Sequence, residues 1–286
     1  MENKRLYSPK QIREVLDRYG FKFSKGLGQN FLIDGNIVRN IVKGAGITKD
    51  DYVLEIGPGM GTLTEELSLR AKKVVAIEID NRLKPILEET LKPYDNIEIV
   101  YGDVLKLPLK DIIDEKCQGG PVKVVANLPY YVTTPIISRL IEEGLPFHSI
   151  SVMVQKEVAD RMVAKPHTKD YGSLTLFVGF YTKAEIILKV PKSVFMPQPK
   201  IDSSVIKLTI KEELPDVNKD SYFKLVRAAF SKRRKTLINA LSSYGLEVEK
   251  EEIRQALIRA GIDENLRGEN LDMDDYIKIA KELPNI

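Results

Sequence analysis

The stretch with the most specific chemistry is an apolar strand that runs directly into Asn127-Leu128-Pro129-Tyr130. The amino nitrogen of adenine is a poor nucleophile because its lone pair is delocalised into the ring. The Asn127 side-chain oxygen and a carbonyl freed by the neighbouring proline can accept its two N–H bonds, and the Tyr130 ring can stack on the base. A strand that ends in a proline turn is also common for structural reasons, so the tetrapeptide alone leaves both interpretations open.

A glycine-rich loop follows an earlier apolar strand and has the sequence Glu55-Ile56-Gly57-Pro58-Gly59-Met60-Gly61. Glycines there allow a tight turn and a close approach of a ligand to the main chain. The loop lacks the Gly-Lys-Ser/Thr ending of a Walker loop, and its third glycine comes one residue earlier than in the dinucleotide fingerprint. This spacing is the type associated with S-adenosylmethionine in Rossmann-like methyltransferases. We predict that Glu55, Gly57, Gly59 and Gly61 bind that cofactor.

Acidic residues follow the next two predicted strands. Glu78 lies at the end of one strand and can accept the hydroxyl protons of a ribose. Asp103 follows the other and can bond the adenine amino group of the cofactor, while Val104 or Leu105 packs against the ring. Each acid alone can instead be a helix cap or turn residue. Acids at successive strand ends favour the cofactor interpretation, because ligands of open parallel sheets bind at those ends.

Strand and helix patterns alternate through the first half, which predicts an α/β fold with a parallel, Rossmann-like sheet and helices on both faces. We predict strands at 52–56, 73–80, 97–101, 122–126, 148–154, 174–181, 184–190 and 204–210. Beyond a charged linker at 211–220 the pattern is purely helical, at 221–242, 248–260 and 272–282. We therefore predict a methyltransferase domain over 1–214, with an extension at about 1–20, and a small all-helical domain over 215–286.

The composition is that of an ordinary globular protein, with 43% hydrophobic and 30% charged residues and a net charge of +3. One cysteine excludes an internal disulfide, and we expect no metal site. We expect a cytoplasmic protein, since no long apolar run or secretory leader is evident. Six basic residues and no acid lie between Lys224 and Lys235, which is either a solvated face or a footprint for RNA phosphates.

Four segments extend these motifs into a resemblance to one family, the KsgA-type small-subunit ribosomal RNA adenine N6-dimethyltransferases. They are Lys25–Leu32, Asn127–Tyr131, Phe195–Ser203 and Phe230–Leu237, and the likeness covers the chain from about residue 20 onward.

The resemblance implies a role for each motif. Asn30 and Leu32 would contact the methionine end of the cofactor, Asn127 would adjoin both cofactor and amine, and Pro129 would help to hold the amine. Tyr130 and Phe195 would stack on the target base, and Arg233, Arg234 and Lys235 would bind RNA. Taken by itself, a phenylalanine among three prolines is more simply a loop residue that caps the core.

The activity implied by the resemblance is transfer of methyl groups from S-adenosylmethionine to N6 of two adjacent adenines. They lie in a hairpin near the 3′ end of 16S rRNA, and the modification is coupled to small-subunit biogenesis. The implied partner is a late assembly intermediate of the small ribosomal subunit, and we expect a monomer. Three alternatives stay open: a large-subunit methylase of the macrolide-resistance type, a DNA adenine methylase, and an RNA-binding assembly factor with an idle methylase fold.

Overall fold

The computed structural model describes residues 5–24, 26–118, 120–284 and 286. Two compact units are formed by these residues. The first comprises the chain up to Ala159 together with Glu185–Ile210, and the second comprises Asp160–Ala184 together with Lys211–Ile286.

A seven-stranded sheet with strand order β4-β3-β2-β5-β6-β9-β7 forms the centre of the fold. Its strands are β2 (Tyr52–Ile56), β3 (Lys73–Glu78), β4 (Ile97–Tyr101), β5 (Val122–Asn127), β6 (Phe147–Gln155), β7 (Thr182–Val190) and β9 (Ser203–Ile210). The pairs among β2 to β6 are parallel, and β6 pairs with β9 in antiparallel register. A separate two-stranded ribbon joins β1 (Phe31–Leu32) to β8 (Phe195–Met196). The predicted α/β fold with a parallel Rossmann-like sheet is confirmed.

Most helices of the first unit alternate with its strands, and the first helix precedes them. They are α1 (Pro9–Arg18), α2 (Gly35–Ala45), α3 (Thr62–Ser68), α4 (Lys84–Thr90), α5 (Leu109–Lys116) and α6 (Thr133–Glu142), followed by α7 (Lys156–Met162), which ends in the second unit. Every residue of β2 is buried, as expected for a strand covered on both faces. The N-terminus of α2 is capped by Asp34, whose side chain accepts from the backbone N–H groups of Asn36 and Ile37.

The second unit is built from α8 (Ser173–Tyr181), α9 (Lys219–Phe230), α10 (Leu237–Ser242), α11 (Lys250–Ala260) and α12 (Met273–Glu282). Segment 160–184, which the sequence pattern placed in the first domain, makes its contacts here. The Tyr171 hydroxyl donates to the Leu271 oxygen at 2.8 Å, and the Tyr171 and Phe230 rings lie 6.1 Å apart. The division into folding domains at 214/215 stays a prediction.

Two predicted elements were wrong. Residues 174–181 form helix α8 rather than a strand, because a short, almost wholly apolar run fits a buried helix as well as a buried strand. The single helix predicted over 221–242 is two helices separated by a turn at 231–236. In that turn the Lys235 N–H donates to the Lys232 oxygen at 3.0 Å, and four consecutive basic residues are exposed.

Candidate active site

One cavity in the first unit lies at the carboxyl ends of β2 to β5 and collects most of the predicted site residues. Its lining includes Asn30, Leu32, Gly57, Gly59, Glu78, Asp103, Val104, Asn127, Pro129 and Tyr130. Segment 27–32, which includes β1 and precedes the strands of the large sheet in the chain, forms one wall of the cavity. The structure therefore brings the predicted cofactor residues and the Asn127–Tyr130 segment into a single site.

The glycine loop has a conformation that side chains rarely adopt. Gly57 and Gly59 have φ angles of 73° and 59°, and a Cβ on Gly59 would lie 3.0 Å from the Phe31 ring. Gly61, with φ of 85°, precedes α3, and a Cβ there would lie 2.9 Å from Leu91. Gly61 packs against Leu91 and does not line the cavity, so its role in cofactor binding stays a prediction.

The Glu78 carboxylate joins the loop that follows β3 to the glycine loop that follows β2. One oxygen accepts from the Asp80 N–H at 2.8 Å, and the other accepts from the Gly59 N–H at 3.2 Å. Burial raises the pKa of Glu78, while these backbone donors oppose the rise. The remaining lone pairs of the carboxylate can accept protons from a diol.

Asp103 and Val104 lie in the loop that follows β4, and Arg139 of α6 bonds to the backbone of that loop. The Asp103 side chain accepts from the Leu105 N–H at 2.9 Å, and Val104 is buried. Arg139 donates to the Val104 oxygen and, at 2.8 Å, to the Leu107 oxygen. These contacts present a carboxylate and an apolar surface side by side in the cavity.

Glu55 is a predicted cofactor residue that does not line the cavity. It lies in β2 with 1% of its surface exposed, and neither carboxyl oxygen has a hydrogen-bond partner among the described residues. Burial raises the pKa of Glu55 to about 8; the nearby Thr64 hydroxyl opposes the rise, and the charge of Glu78 adds a smaller one. With this pKa the side chain is mostly protonated at neutral pH, and the role of Glu55 in cofactor binding stays a prediction.

The Asn127–Tyr130 segment is fixed by hydrogen bonds at three points. The Asn127 Nδ2 donates to the backbone oxygen of Asn30 at 3.0 Å. The Pro129 oxygen accepts from the Thr133 hydroxyl at 3.1 Å and from the Val132 N–H at 3.2 Å. The hydroxyls of Tyr130 and Ser203 are 2.8 Å apart. Since the Pro129 oxygen is already engaged, the Leu128 carbonyl, which precedes the proline, is the better candidate to accept from an amine.

Phe195 is not brought to the cavity in this structure. It pairs with Leu32 across the β1–β8 ribbon, and with 3% of its surface exposed it belongs to the core cluster that contains Val38, Val190 and Val194. The simpler interpretation of this phenylalanine, as a loop residue that caps the core, describes its position here.

Tyr131 is an aromatic residue of the cavity whose role the sequence did not indicate. It lines the cavity with 63% of its surface exposed. Its ring would lie 3.4 Å from a Cβ on Gly28, so it packs over that glycine at the cavity wall. Its only sequence signal was the second tyrosine of the Pro-Tyr-Tyr run.

The basic residues of the turn at 231–236 belong to the second unit. Arg233, Arg234 and Lys235 are all exposed. Arg233 donates to the Lys169 oxygen at 3.1 Å and lies 3.8 Å from the Glu269 carboxylate. The loop that receives it carries two further exposed lysines, Lys165 and Lys169. The structure thus joins two basic segments of the second unit into one charged surface.

Within the parts of the chain that the structure describes, no helix is both long enough and apolar enough to cross a membrane.

The parallel strands β2 to β6 extended by the antiparallel strand β9, with a positive-φ glycine loop after β2 and acids after β3 and β4, match the class I methyltransferase fold. The model of the family described as ribosomal RNA adenine dimethylase matches residues 20–285, so this chain belongs to that family.

The relatives and solved structures agree with this assignment. A protein of Alkaliphilus oremlandii named ribosomal RNA small subunit methyltransferase A is 53% identical over 282 residues, which cover 98% of each chain. The crystal structure of a dimethyladenosine transferase from Plasmodium falciparum is 30% identical, with a TM-score of 0.75, over 87% of this chain and 95% of that one. That of the 23S rRNA methyltransferase ErmE is 27% identical, with a TM-score of 0.67, over 88% and 99%.

Proposed function

We propose that this protein transfers methyl groups from S-adenosylmethionine to N6 of two adjacent adenines in a hairpin near the 3′ end of small-subunit rRNA. The product is N6,N6-dimethyladenosine. The observation that carries the proposal is the meeting of Asn127 with the glycine loop, Glu78 and Asp103 in one cavity. On this proposal the protein acts in the cytoplasm, as a monomer, on a late assembly intermediate of the small subunit.

The cavity residues fit S-adenosylmethionine. Gly57 and Gly59 form a cradle that a Cβ would fill, Glu78 offers a carboxylate to ribose hydroxyls, and Asp103 with Val104 suits an adenine ring. Asn30 and Leu32 line the wall that would face the methionine end. When bound, the cofactor supplies an electrophilic methyl group on a good leaving group, so the protein needs chiefly to position the amine.

Asn127 and the Leu128 carbonyl would hold that amine. Because Asn127 Nδ2 is occupied by the Asn30 oxygen, its Oδ1 is the atom left to accept an N–H bond. Two acceptors on one exocyclic nitrogen favour a geometry in which its lone pair can attack. The proton can leave to water after transfer, so no general base is assigned.

Tyr130, with its hydroxyl held at Ser203, would stack on the target base. We retain Phe195 as a second stacking residue only for a state in which the β1–β8 ribbon opens, since here its ring packs in the core. The basic surface of the second unit, with Arg233, Arg234 and Lys235, would contact rRNA phosphates.

Sequence identity supports the small ribosomal subunit, rather than the large one, as the source of the substrate RNA. The relative named for the small subunit is 53% identical, against 27% for the 23S rRNA methyltransferase. Large-subunit methylation and non-catalytic RNA binding remain outcomes that an experiment can separate.

The test is incubation of the protein with labelled S-adenosylmethionine and unmethylated small or large subunits, followed by nucleoside mass spectrometry. Dimethyladenosine in small-subunit RNA alone is expected, and Asn127→Ala should give almost none. Label in large-subunit RNA would support the resistance-type alternative. Cofactor binding without label in either subunit would support the non-catalytic one.

A further inference from the structure

A buried acid beside the cavity has no part in the proposed chemistry. Asp80 lies two residues beyond Glu78 and has 5% of its surface exposed. Its carboxylate receives a two-pronged bond from Arg82, with Nε at 2.8 Å and Nη2 at 2.6 Å. It also accepts from the Gln29 Nε2 at 2.7 Å, across 51 positions of sequence.

Gln29 in turn orders the chain segment that precedes it. Its Oε1 accepts from the Ser24 N–H at 2.9 Å, so one side chain bonds to both the N-terminal segment and Asp80. Gln29 lines the cavity and adjoins Asn30, whose carbonyl holds Asn127. A displacement of Gln29 would therefore reach the cofactor wall and the amine-binding residue together.

Arg82 makes a second connection to the same segment. Its Nη1 donates to the Lys22 oxygen at 3.3 Å, and its guanidinium lies 5.1 Å from the centre of the Phe21 ring. Phe21, Phe23 and Phe31 are in mutual ring contact, at centroid distances of 5.2 to 6.2 Å. The Asp80–Arg82 pair thus contacts the segment from Phe21 to Gln29 at two separate points.

The same acid is joined to the proposed ribose site. The Asp80 N–H donates to the Glu78 carboxylate at 2.8 Å, and the other Glu78 oxygen accepts from the Gly59 N–H. The short stretch 78–82 therefore connects the glycine loop, through Glu78, to the segment that contains Phe21 and Gln29. A bidentate arginine–carboxylate pair suits this task because it fixes orientation as well as distance.

We infer that Asp80 is a positioning residue: with Arg82 it holds Gln29 and the described residues of 21–24 and 26–28 against the ribose site, so that cofactor retention depends on it. The cofactor part of this inference rests on the proposed function. The part that concerns the wall does not, because it can be measured without cofactor.

The sharpest variant is Gln29→Glu, which places a second carboxylate against Asp80 and removes the donor while keeping an acceptor for Ser24. Asp80→Asn removes the negative charge that Arg82 and Gln29 bind. Arg82→Lys keeps the positive charge but loses the bidentate geometry of the guanidinium. Asp114→Asn is the matched control, since Asp114 is an exposed acid paired with Lys110 on α5, outside the cavity lining.

Three readouts distinguish positioning from folding. We expect Gln29→Glu and Asp80→Asn to weaken binding of S-adenosylhomocysteine about 10-fold to 100-fold, the range found when residues that support a site are changed. The KM for S-adenosylmethionine should rise similarly, and kcat at saturation should fall by a smaller factor than KM rises, because Asn127 is affected only through Gln29 and Asn30. Without cofactor, trypsin should cleave after the exposed Lys22 several times faster, roughly as the local opening equilibrium shifts.

Arg82→Lys should give an intermediate effect, and Asp114→Asn should match the parent. Unchanged affinity and unchanged cleavage after Lys22 in Gln29→Glu would overturn the inference. So would a loss of affinity that only follows a fall in Tm, because Asp80 would then act on stability alone. If the parent itself bound no S-adenosylhomocysteine, the proposed function would fail, while the cleavage result would still decide the role of Asp80 in holding the wall.

Discussion

The side-chain amide of Asn127 donates to the backbone oxygen of Asn30 at 3.0 Å, across 97 positions of sequence. This bond orients the asparagine so that its oxygen, rather than its nitrogen, is available to an amine. It also makes the wall at 27–32 part of the amine site, because the acceptor that orients Asn127 is in that wall.

Asn127→Ala should nearly abolish methylation, with a fall in kcat of about 100-fold to 1000-fold, since it removes an acceptor made chiefly for the transition state. S-Adenosylhomocysteine affinity, measured by calorimetry, should stay within about 3-fold of the parent. Asn127→Asp is the companion variant, because it keeps the shape but places a carboxylate oxygen against the Asn30 carbonyl. Equal loss of turnover and of cofactor binding would remove Asn127 from its assigned role.

Tyr131 should contribute to RNA binding through its exposed ring. Tyr131→Ala is expected to weaken binding to unmethylated small subunits about 5-fold to 150-fold, which corresponds to roughly 1–3 kcal/mol for one stacked base. Tyr131→Phe should restore affinity, because the ring supplies the contact. Filter binding at fixed salt measures both, and an Ala variant with parental affinity would contradict the prediction.

Phe195→Ala provides a contrast with Tyr131→Ala. Since Phe195 is packed in the core, its truncation should lower the free energy of unfolding by about 3–5 kcal/mol. Urea titration of the Phe195 and Tyr131 variants side by side tests this. Parental stability in the Phe195 variant would mean that its ring does not occupy the core position in solution.

Glu55 should make stability depend on pH. Its pKa in the folded state is about 8, above the value in the unfolded chain. Its contribution to the free energy of unfolding is therefore complete below the unfolded pKa and is lost as the pH rises through the folded pKa. Glu55→Gln cannot ionise, and its Tm should therefore fall less than that of the parent between about pH 5 and pH 9.

The exposed Glu247→Gln serves as the control for Glu55→Gln. At pH 9 the Tm of Glu55→Gln should exceed that of the parent by several degrees, at roughly 2–4 °C for each kcal/mol in a chain of this size. Parallel pH curves for all three proteins would show that Glu55 is already ionised.

The turn at 231–236 should bind RNA phosphates. The double change Arg234→Ala with Lys235→Ala is expected to reduce the slope of log Kd against log salt by about 2, roughly one for each phosphate that is no longer neutralised. Arg233 is left intact because it is bonded to Lys169 and lies near Glu269, so its removal would also disturb the surface. Lys278→Ala, on the neighbouring helix α12, is the control, and a salt slope equal to the parent's in the double variant would exclude the turn from the interface.

Much of the site was predictable because its signals are local. A glycine spacing, an acid after each of two strands and an Asn-Leu-Pro-Tyr run are readable within a few residues. The topology of parallel strands then places their carboxyl ends together, as the cavity lining confirms for Gly57, Glu78, Asp103 and Asn127.

Local patterns were insufficient where two structures share one pattern. Residues 174–181 became a helix because burial, rather than periodicity, decides the structure of a short apolar run. Phe195 entered the core, and Tyr131 the cavity, although both are aromatic residues near prolines. Which ring is exposed depends on the partners that surround it, and those come from distant segments.

The sequence by itself determined the α/β architecture, the glycine loop and the chemistry of the strand ends, since each follows from the order and period of neighbouring residues. Only the tertiary structure decided that Arg233 bonds to the loop of Lys169 and that Gln29 meets Asp80. These contacts join residues separated by tens of positions. No periodic pattern specifies such pairs, because they arise when packing brings whole elements together.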